Sequence, residues 1–347
     1  MKVVVTGGAG FIGSHCVDLL IQAGHDVLVI DDFSSGTEAN LTDARAAAKK
    51  TGRKIEILKD SIDRAGLWEK LEGADAFFHL AAQTSVTASV QAPDADFSTN
   101  VNCIPAIVKW MIRGKVRFLV YANTAGALYG EAATLPADER TAILPMSPYG
   151  ATKSFFETYV GSIVRARKAS MTWSNDVLAG DYFSYVSLRL ANVYGPRQVP
   201  RGEAGVVPIF LETLAQGKAP TIFGDGTKVR DYVYVRDVAR AFLAALDKLQ
   251  LVALDDVFNV ATGIETRDIE VFDTVLDALQ GRARKELGAS RCQKSLEIQE
   301  PNFAPVRPGE VKRSSLTNYK VQAFLNWKPE VSFVDGVQTT VTEYPLP

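Results

Sequence analysis

The chain has 347 residues, 47% hydrophobic and 22% charged, with 38 Lys and Arg against 40 Asp and Glu for a net charge of −2. That balance excludes a general electrostatic attraction to nucleic acid, and no run approaches the ~20 apolar residues that span a bilayer. Three scattered cysteines (Cys16, Cys103, Cys292), none in CxxC spacing, and only His15, His25 and His79 argue against a disulfide framework or a metal centre, and for a reducing, cytoplasmic setting.

The chain opens on a strand, Lys2–Val5, with no charged leader expected ahead of it. Apolar runs at Asp26–Ile30, Lys54–Leu58, Ala76–Leu80 and Val116–Tyr121 lack clean alternation, which predicts strands buried on both faces. Amphipathic stretches at Ile12–Gln22, Leu41–Lys50 and Ala92–Arg113 separate them. Strand and helix alternating at this spacing predict a doubly wound parallel sheet. A long helix over Tyr149–Lys168 and a strand at Ser184–Leu188 continue the pattern, with Ala169–Asp181 expected as a surface loop between them. Beyond Pro196 the rhythm loosens. Helices are expected near Val207–Ala215, Arg236–Lys248 and Arg267–Leu279, and Val257–Val260 reads as a strand returning to the main sheet. The expected organisation is a nucleotide domain over residues 1–190, with 228–262 returning to it. Residues 191–227 and 263–347 form a smaller C-terminal α/β substrate lobe.

Thr6-Gly7-Gly8-Ala9-Gly10-Phe11-Ile12-Gly13 joins the first strand to the first helix, with glycines in GxxGxxG spacing. Such a turn brings backbone close to a diphosphate and packs helix against strand. The helix N-terminus then offers N–H groups and a positive dipole to the anion. The second strand ends in Asp31-Asp32. A carboxylate there can bond the ribose hydroxyls and would repel a 2′-phosphate, which favours NAD over NADP, with Asp31 the better placed. Asp60 ends the third strand in the same way and could meet the adenine amino group. These features together specify a Rossmann-type fold.

Ser147-Pro148-Tyr149-Gly150-Ala151-Thr152-Lys153 sets Tyr149 and Lys153 four apart on one helix face. A free tyrosine, with pKa ~10, is a poor base at neutral pH. A nearby ammonium favours its phenolate, making Tyr149 a usable general base for an alcohol proton.

The glycine turn, Asp31, His79-Leu80-Ala81-Ala82-Gln83 and the Tyr149–Lys153 pair together resemble the extended short-chain dehydrogenase/reductase family. So do Arg189-Leu190-Ala191-Asn192-Val193-Tyr194-Gly195-Pro196-Arg197, Phe223-Gly224-Asp225-Gly226-Thr227, Arg230-Asp231-Tyr232-Val233, Asp237-Val238, Phe258-Asn259-Val260-Ala261-Thr262-Gly263 and Pro305-Val306-Arg307-Pro308-Gly309-Glu310. The likeness covers nearly the whole chain and is strongest toward the UDP-glucose 4-epimerase branch. It implies an NAD-dependent isomerase that inverts C4 of a UDP-hexose through a 4-keto intermediate. Gly7, Gly10, Phe11, Ile12, Gly13, Asp31, Asp60, Ile62, Leu80, Ala81, Ala82, Gln83 and Asn100 match cofactor positions. Tyr149 and Lys153 match the catalytic base and its partner, Lys153 also touching the cofactor's ribose. Asn192, Arg230 and Arg307 match diphosphate contacts, the two arginines suited by their planar, always-charged forks. Val206 and Val207 lie where the family packs the uridine.

Thr124 is the hydroxyl before Tyr129 and is assigned the hydrogen bond to the reacting sugar oxygen. Asn123 and Ala125 depart from the serine- and threonine-rich pattern of many relatives. No Asp-Glu pair follows Thr124, which disfavours the water elimination of 4,6-dehydratases. Ser314 stands where a small residue is associated with room for N-acetylhexosamines. The helices Ala92–Arg113 and Pro148–Lys168 match those of the family's dimer interface, so a homodimer is expected, with no nucleic-acid or membrane partner. The alternatives are a nucleotide-sugar decarboxylase, a uronate epimerase, an epimerase on another nucleotide, or a non-catalytic NAD-binding protein, since a fold does not fix a function.

Overall fold

The computed structural model describes residues 1–64, 66–68, 71–173, 183–200, 205–285, 297–307 and 311–345. Its centre is a seven-stranded parallel sheet. The strands are β1 (Lys2–Thr6), β2 (Asp26–Asp31), β3 (Ile55–Lys59), β4 (Ala76–His79), β5 (Phe118–Thr124), β6 (Ser184–Leu190) and β10 (Asp255–Val260). They lie in the order β10-β6-β5-β4-β1-β2-β3. Chain direction across the sheet reverses between β1 and β4, which opens a crevice at their C-terminal ends.

The absence of alternation in the apolar runs has its reason here. Val3, Val5, Val27 and Val29 pack into one buried cluster, with α1 (Phe11–Gln22) and α9 (Val235–Leu251). Val4, Leu28 and Ile30 pack into a second on the opposite face, with α5 (Ile104–Arg113) and α7 (Pro148–Trp173). β1 and β2 are covered on both sides and therefore need apolar residues on both, whereas β3, expected to be buried on both faces, lies at the sheet edge with no fully buried residue and exposes Glu56 and Lys59. The helix α2 (Thr42–Thr51) packs beside α1.

Several boundaries differ from expectation. The single helix expected over Ala92–Arg113 is broken, giving α4 (Pro93–Asn100) and α5, and a separate α3 (Val86–Gln91) precedes them. Pro105 has no N–H to give the Val101 carbonyl and its ring crowds that carbonyl, so the chain turns at Val101–Cys103. The fifth strand begins at Phe118, not Val116, because Lys115 adopts φ +53° and turns the chain just ahead of it. The long helix runs on to Trp173, so the first part of the expected loop at Ala169–Asp181 is helical, and residues 174–181 lie outside the described residues.

The second lobe holds a three-stranded sheet of β7 (Asn192–Tyr194), β9 (Val229–Tyr234) and β11 (Glu265–Arg267). A two-stranded sheet pairs β8 (Thr221–Phe223) with β12 (Asn302–Ala304). The helices α8 (Val206–Ala215), α10 (Asp268–Lys285) and α12 (Phe333–Glu343) close its own core around Phe210, Phe272 and Tyr194. Within residues 228–262, β9 belongs to this small sheet, whereas α9 and β10 belong to the large one. Near the C-terminus, α11 (Tyr319–Leu325) and Trp327 pack back onto α9 and β10.

Candidate active site

The glycine turn is built by close approach. Gly7 adopts φ +67°, and a Cβ there would stand 2.8 Å from Ala81 N. A Cβ at Gly13 would stand 2.1 Å from the Gly7 carbonyl oxygen. Both positions need glycine for α1 to start directly behind β1. The first turn of α1 has no side-chain cap and no acidic residue, so its N–H groups remain available to an anion.

At the end of β2, Asp31 Oδ2 accepts a hydrogen bond from Ala9 N and Oδ1 accepts one from Phe33 N, both at 2.8 Å. Burial raises the pKa of this carboxyl, partly opposed by the two backbone donors. Asp32 instead caps its own loop, accepting from Ser34 N and Oγ. The two adjacent carboxylates therefore face different backbone, Asp31 the glycine turn and Asp32 its own loop. Asp60 accepts from Ser61 N at 3.0 Å and from the Arg64 guanidinium at 2.9 Å.

The β4 end is tied to α4 and α7. The Gln83 N–H donates to Asn100 Oδ1 at 2.9 Å, and Asn100 Nδ2 donates to the Gln83 carbonyl at 3.1 Å. Buried Asp96 accepts from Gln83 Nε2 and Thr152 Oγ1, each at 2.8 Å. His79 Nδ1 meets Thr6 Oγ1 at 2.8 Å, and its ring stacks on Phe156 at 4.9 Å. Burial drives the His79 pKa down to about 3, so the ring is neutral.

One cavity of about 610 Å³ runs over these pieces. Gly7, Gly10, Phe11, Ile12, Gly13, Asp31, Asp60, Ile62 and Leu80–Gln83 line it, and so do Thr124, Tyr149 and Lys153. Asn100 stands behind Gln83 rather than on the wall. Thr124 comes from the end of β5, where its Oγ1 accepts from Ala127 N, in the short helix α6 (Gly126–Tyr129), at 3.4 Å. Tyr149 and Lys153 come from the first turns of α7. Lys153 is 4% exposed and its Nζ sits 4.2 Å from the centroid of the Tyr121 ring. Desolvation lowers its pKa to about 7, partly opposed by Cys103 and Asp96.

The dinucleotide fits this cavity on its own observations: a turn with no room for a Cβ, an uncapped helix start, and a carboxylate at the β2 end. The phosphate-binding groups expected for a second ligand lie apart from that wall. Arg230, on β9, donates to its own Val229 carbonyl and to the Val311 carbonyl at 2.7 Å. The Arg307 guanidinium lies over the Phe223 ring, 3.8 Å from its centroid. Asn192 begins β7, directly after the cavity-lining Ala191. Val206 and Val207 start α8, with Val207 1% exposed in the lobe's core. Ser314 donates its N–H to the Val229 carbonyl at 3.1 Å, in the strand neighbourhood of Arg230. Pro308, Gly309 and Glu310 of the expected motif, and Cys292, lie outside the described residues.

Sequence reasoning missed a buried polar group behind Thr124. Glu157, on α7, pairs with Arg189 on β6, and also accepts from Asn123 Nδ2 and Ser187 Oγ, each at 2.7 Å. Arg189 also donates to Tyr129 OH at 2.8 Å, and Tyr129 OH donates to Asn259 Oδ1 at 2.8 Å. The available signal was the spacing of Tyr149, Lys153 and Glu157, which repeats every four residues along one helix face.

Residues 3–261 match the profile described as the NAD dependent epimerase/dehydratase family. A UDP-glucose 4-epimerase of Mycolicibacterium smegmatis is 36% identical over 341 residues, covering 98% of this chain and 97% of its own. The crystal structure of the Thermotoga maritima UDP-glucose 4-epimerase with UDP-glucose is 36% identical and superposes with a TM-score of 0.83, covering 99% of this chain and 98% of its own. The UDP-N-acetylglucosamine 4-epimerase of Methanobrevibacter ruminantium, in complex with UDP-N-acetylmuramic acid, is 30% identical with a TM-score of 0.82 and covers 99% and 97%.

Proposed function

This chain belongs to the NAD dependent epimerase/dehydratase family, and from that membership we propose that it is an isomerase that interconverts UDP-glucose and UDP-galactose by inverting C4. The observation that carries the proposal is the convergence of Thr124, Tyr149 and Lys153 on the cavity that begins at the glycine turn. NAD, when bound, supplies the hydride exchange at C4 that makes a 4-keto sugar and then reduces it on the other face. The chain's own residues bind, orient and move the proton.

The first turn of α1 holds the cofactor's diphosphate, and Asp31 its ribose. Tyr149 takes the C4 hydroxyl proton and later returns it. Lys153 supports the phenolate electrostatically, and a phenolate in the same cavity draws a proton back onto the desolvated amine. Thr124 holds the C4 oxygen by a hydrogen bond. Arg230, Arg307 and Asn192 grip the diphosphate of the substrate, with Val206 and Val207 beside the uridine. Gripping the nucleotide while leaving the hexose loosely held allows the keto sugar to turn about its diphosphate linkage. Ala125 and Gly126 follow Thr124 and offer no acid to expel water from C6, so the reaction stops at inversion. The small Ser314 extends the substrate range to UDP-N-acetylhexosamines.

A second copy covers the apolar surface on α4 and α7. Phe97 is 50% exposed there, and Phe155 and Tyr159, 45% and 37% exposed, stack at 5.6 Å. Large exposed apolar surface of this kind marks an interface, and gel filtration with light scattering checks it. A monomer at micromolar concentration would contradict the homodimer. Among the described residues no helix is long and apolar enough to cross a membrane. The scattered, buried thiols Cys16 and Cys103 support a reducing, cytoplasmic location. A panel of nucleotide sugars followed by NMR tests the chemistry. The proposal expects C4 inversion of UDP-hexoses, and conversion of only another nucleotide, or a stable 4-keto-6-deoxy product, would contradict it.

A further inference from the structure

Behind Thr124 lies a polar cluster that the chemistry above leaves without a task. Asn123, Glu157, Ser187 and Arg189 are 3%, 6%, 0% and 4% exposed. Asn123 and Arg189 stand directly opposite each other in the β5–β6 pairing. Glu157 sits one helical turn beyond Lys153 and two beyond Tyr149. Its carboxylate is fully engaged, by Asn123 Nδ2, Ser187 Oγ and two nitrogens of Arg189. A buried ion pair of this kind adds little net stability over apolar packing, because desolvating two charges offsets their attraction. What it does supply is a fixed geometry.

Asn123 is the member that faces both ways. Its Nδ2 donates to Glu157 Oε2 at 2.7 Å, and its Oδ1 accepts from the Thr124 N–H at 2.9 Å. Two hydrogen bonds thus run from the Tyr149 helix to the backbone of the residue whose hydroxyl faces the same cavity. Tyr149 and Thr124 belong to different elements, and nothing in the sheet pairing sets the distance between their hydroxyls. We propose that Asn123, held by the Glu157–Arg189 pair, is a positioning residue that fixes Thr124 relative to Tyr149. This inference rests on the catalytic roles assigned above to Thr124 and Tyr149. The amide suits the task because it donates to a carboxylate and accepts from a backbone N–H at once; a hydroxyl is too short to span both, and an aspartate could not donate to Glu157.

A double-mutant cycle on the full-length holoenzyme tests it, reading kcat and KM for UDP-galactose, UDP affinity and melting temperature. Thr124→Val is expected to lower kcat by about 100-fold, as loss of a hydrogen bond to a charged transition state does. Asn123→Ala is expected to lower kcat about 10-fold, the scale of a small misplacement, with KM and UDP affinity changed by less than about twofold. In the Thr124→Val background the same change is expected to lower kcat by less than about twofold, because its effect passes through Thr124. Glu157→Gln is expected to show the same loss of effect in that background. Where Asn123→Ala fails to fold, Asn123→Ser carries the same test. Equal losses in both backgrounds, or a lowered melting temperature with unchanged kcat per folded molecule, would overturn the inference and leave the Thr124 assignment standing. An unchanged kcat in Thr124→Val alone would instead remove that assignment, and the inference with it.

Discussion

The Asp31 carboxylate accepts a hydrogen bond from the Ala9 N–H at 2.8 Å, so the residue that ends β2 is tied to the glycine turn that ends β1. One carboxylate therefore shapes the glycine turn and, in the proposed reading, binds the cofactor's ribose. Asp31→Ala is expected to weaken NAD binding by at least about 10-fold, the cost of losing charge-assisted hydrogen bonds. It should also narrow the preference for NAD over NADP, since the charge that repels a 2′-phosphate is gone. Calorimetry or fluorescence titration with both cofactors measures this. An unchanged NAD/NADP ratio would contradict the role of Asp31.

Gly13 faces the Gly7 carbonyl so closely that the smallest side chain would collide with it at 2.1 Å. Both partners are backbone, so neither can swing aside. Gly13→Ala is expected to destabilise the fold by about 3 kcal/mol, the upper range of overpacking, and to abolish cofactor binding. Urea unfolding with and without NAD checks both effects. Retained stability and retained binding would show that the turn tolerates a shift.

Acid sensitivity follows from two buried imidazoles. Burial lowers the His15 pKa to about 4 and the His79 pKa to about 3, below the usual 6.5. Between pH 6.5 and 4 the unfolded chain binds protons that the native state refuses, so stability falls as pH falls through that window. His15 donates from Nε2 to the Pro196 carbonyl at 3.1 Å, a bond that Gln can replace in kind. His15→Gln is expected to flatten the slope of unfolding free energy against pH by about 1 kcal/mol per pH unit within the window. An unchanged slope would show that other groups carry the acid response.

Much of this was legible in the sequence, for physical reasons that can be named. Val3 to Val5 and Val27 to Ile30 read as two-faced strands because each face has its own cluster to fill. Gly7 and Gly13 were legible because the close approach between them lies within one turn, and Asp31 because it ends the apolar run of the second strand. The break at Pro105 inside the expected helix Ala92–Arg113 was a local signal too, outweighed there by amphipathic periodicity. The Asn123–Glu157–Arg189 group was not legible, because its members are more than 30 residues apart and only the β5–β6 register and the α7 packing unite them. Asn123 was visible in the sequence only as a departure from a serine-rich pattern.

Ser314 is half-buried beside β9, and its small side chain is expected to admit an N-acetyl group. The wild-type enzyme should convert UDP-N-acetylglucosamine as well as UDP-glucose. Ser314→Tyr should reduce kcat/KM for the N-acetylated sugar by at least about 10-fold while sparing UDP-glucose, since a bulky ring discriminates by excluded volume. Turnover of UDP-glucose alone by the wild type would contradict this.

In the proposed mechanism Tyr149 is the base for C4 inversion of a UDP-hexose in this cavity. The most direct measurement incubates the purified protein with UDP-galactose, with and without added NAD, and follows the sugar by proton NMR alongside the Tyr149→Phe variant. UDP-glucose is expected to form with the wild type, and Tyr149→Phe, still folded and still binding UDP, is expected to be slower by at least about 100-fold, the contribution of a positioned general base. Wild-type protein that leaves UDP-galactose unchanged in both conditions, or a Tyr149→Phe variant that runs at the full rate, would contradict it.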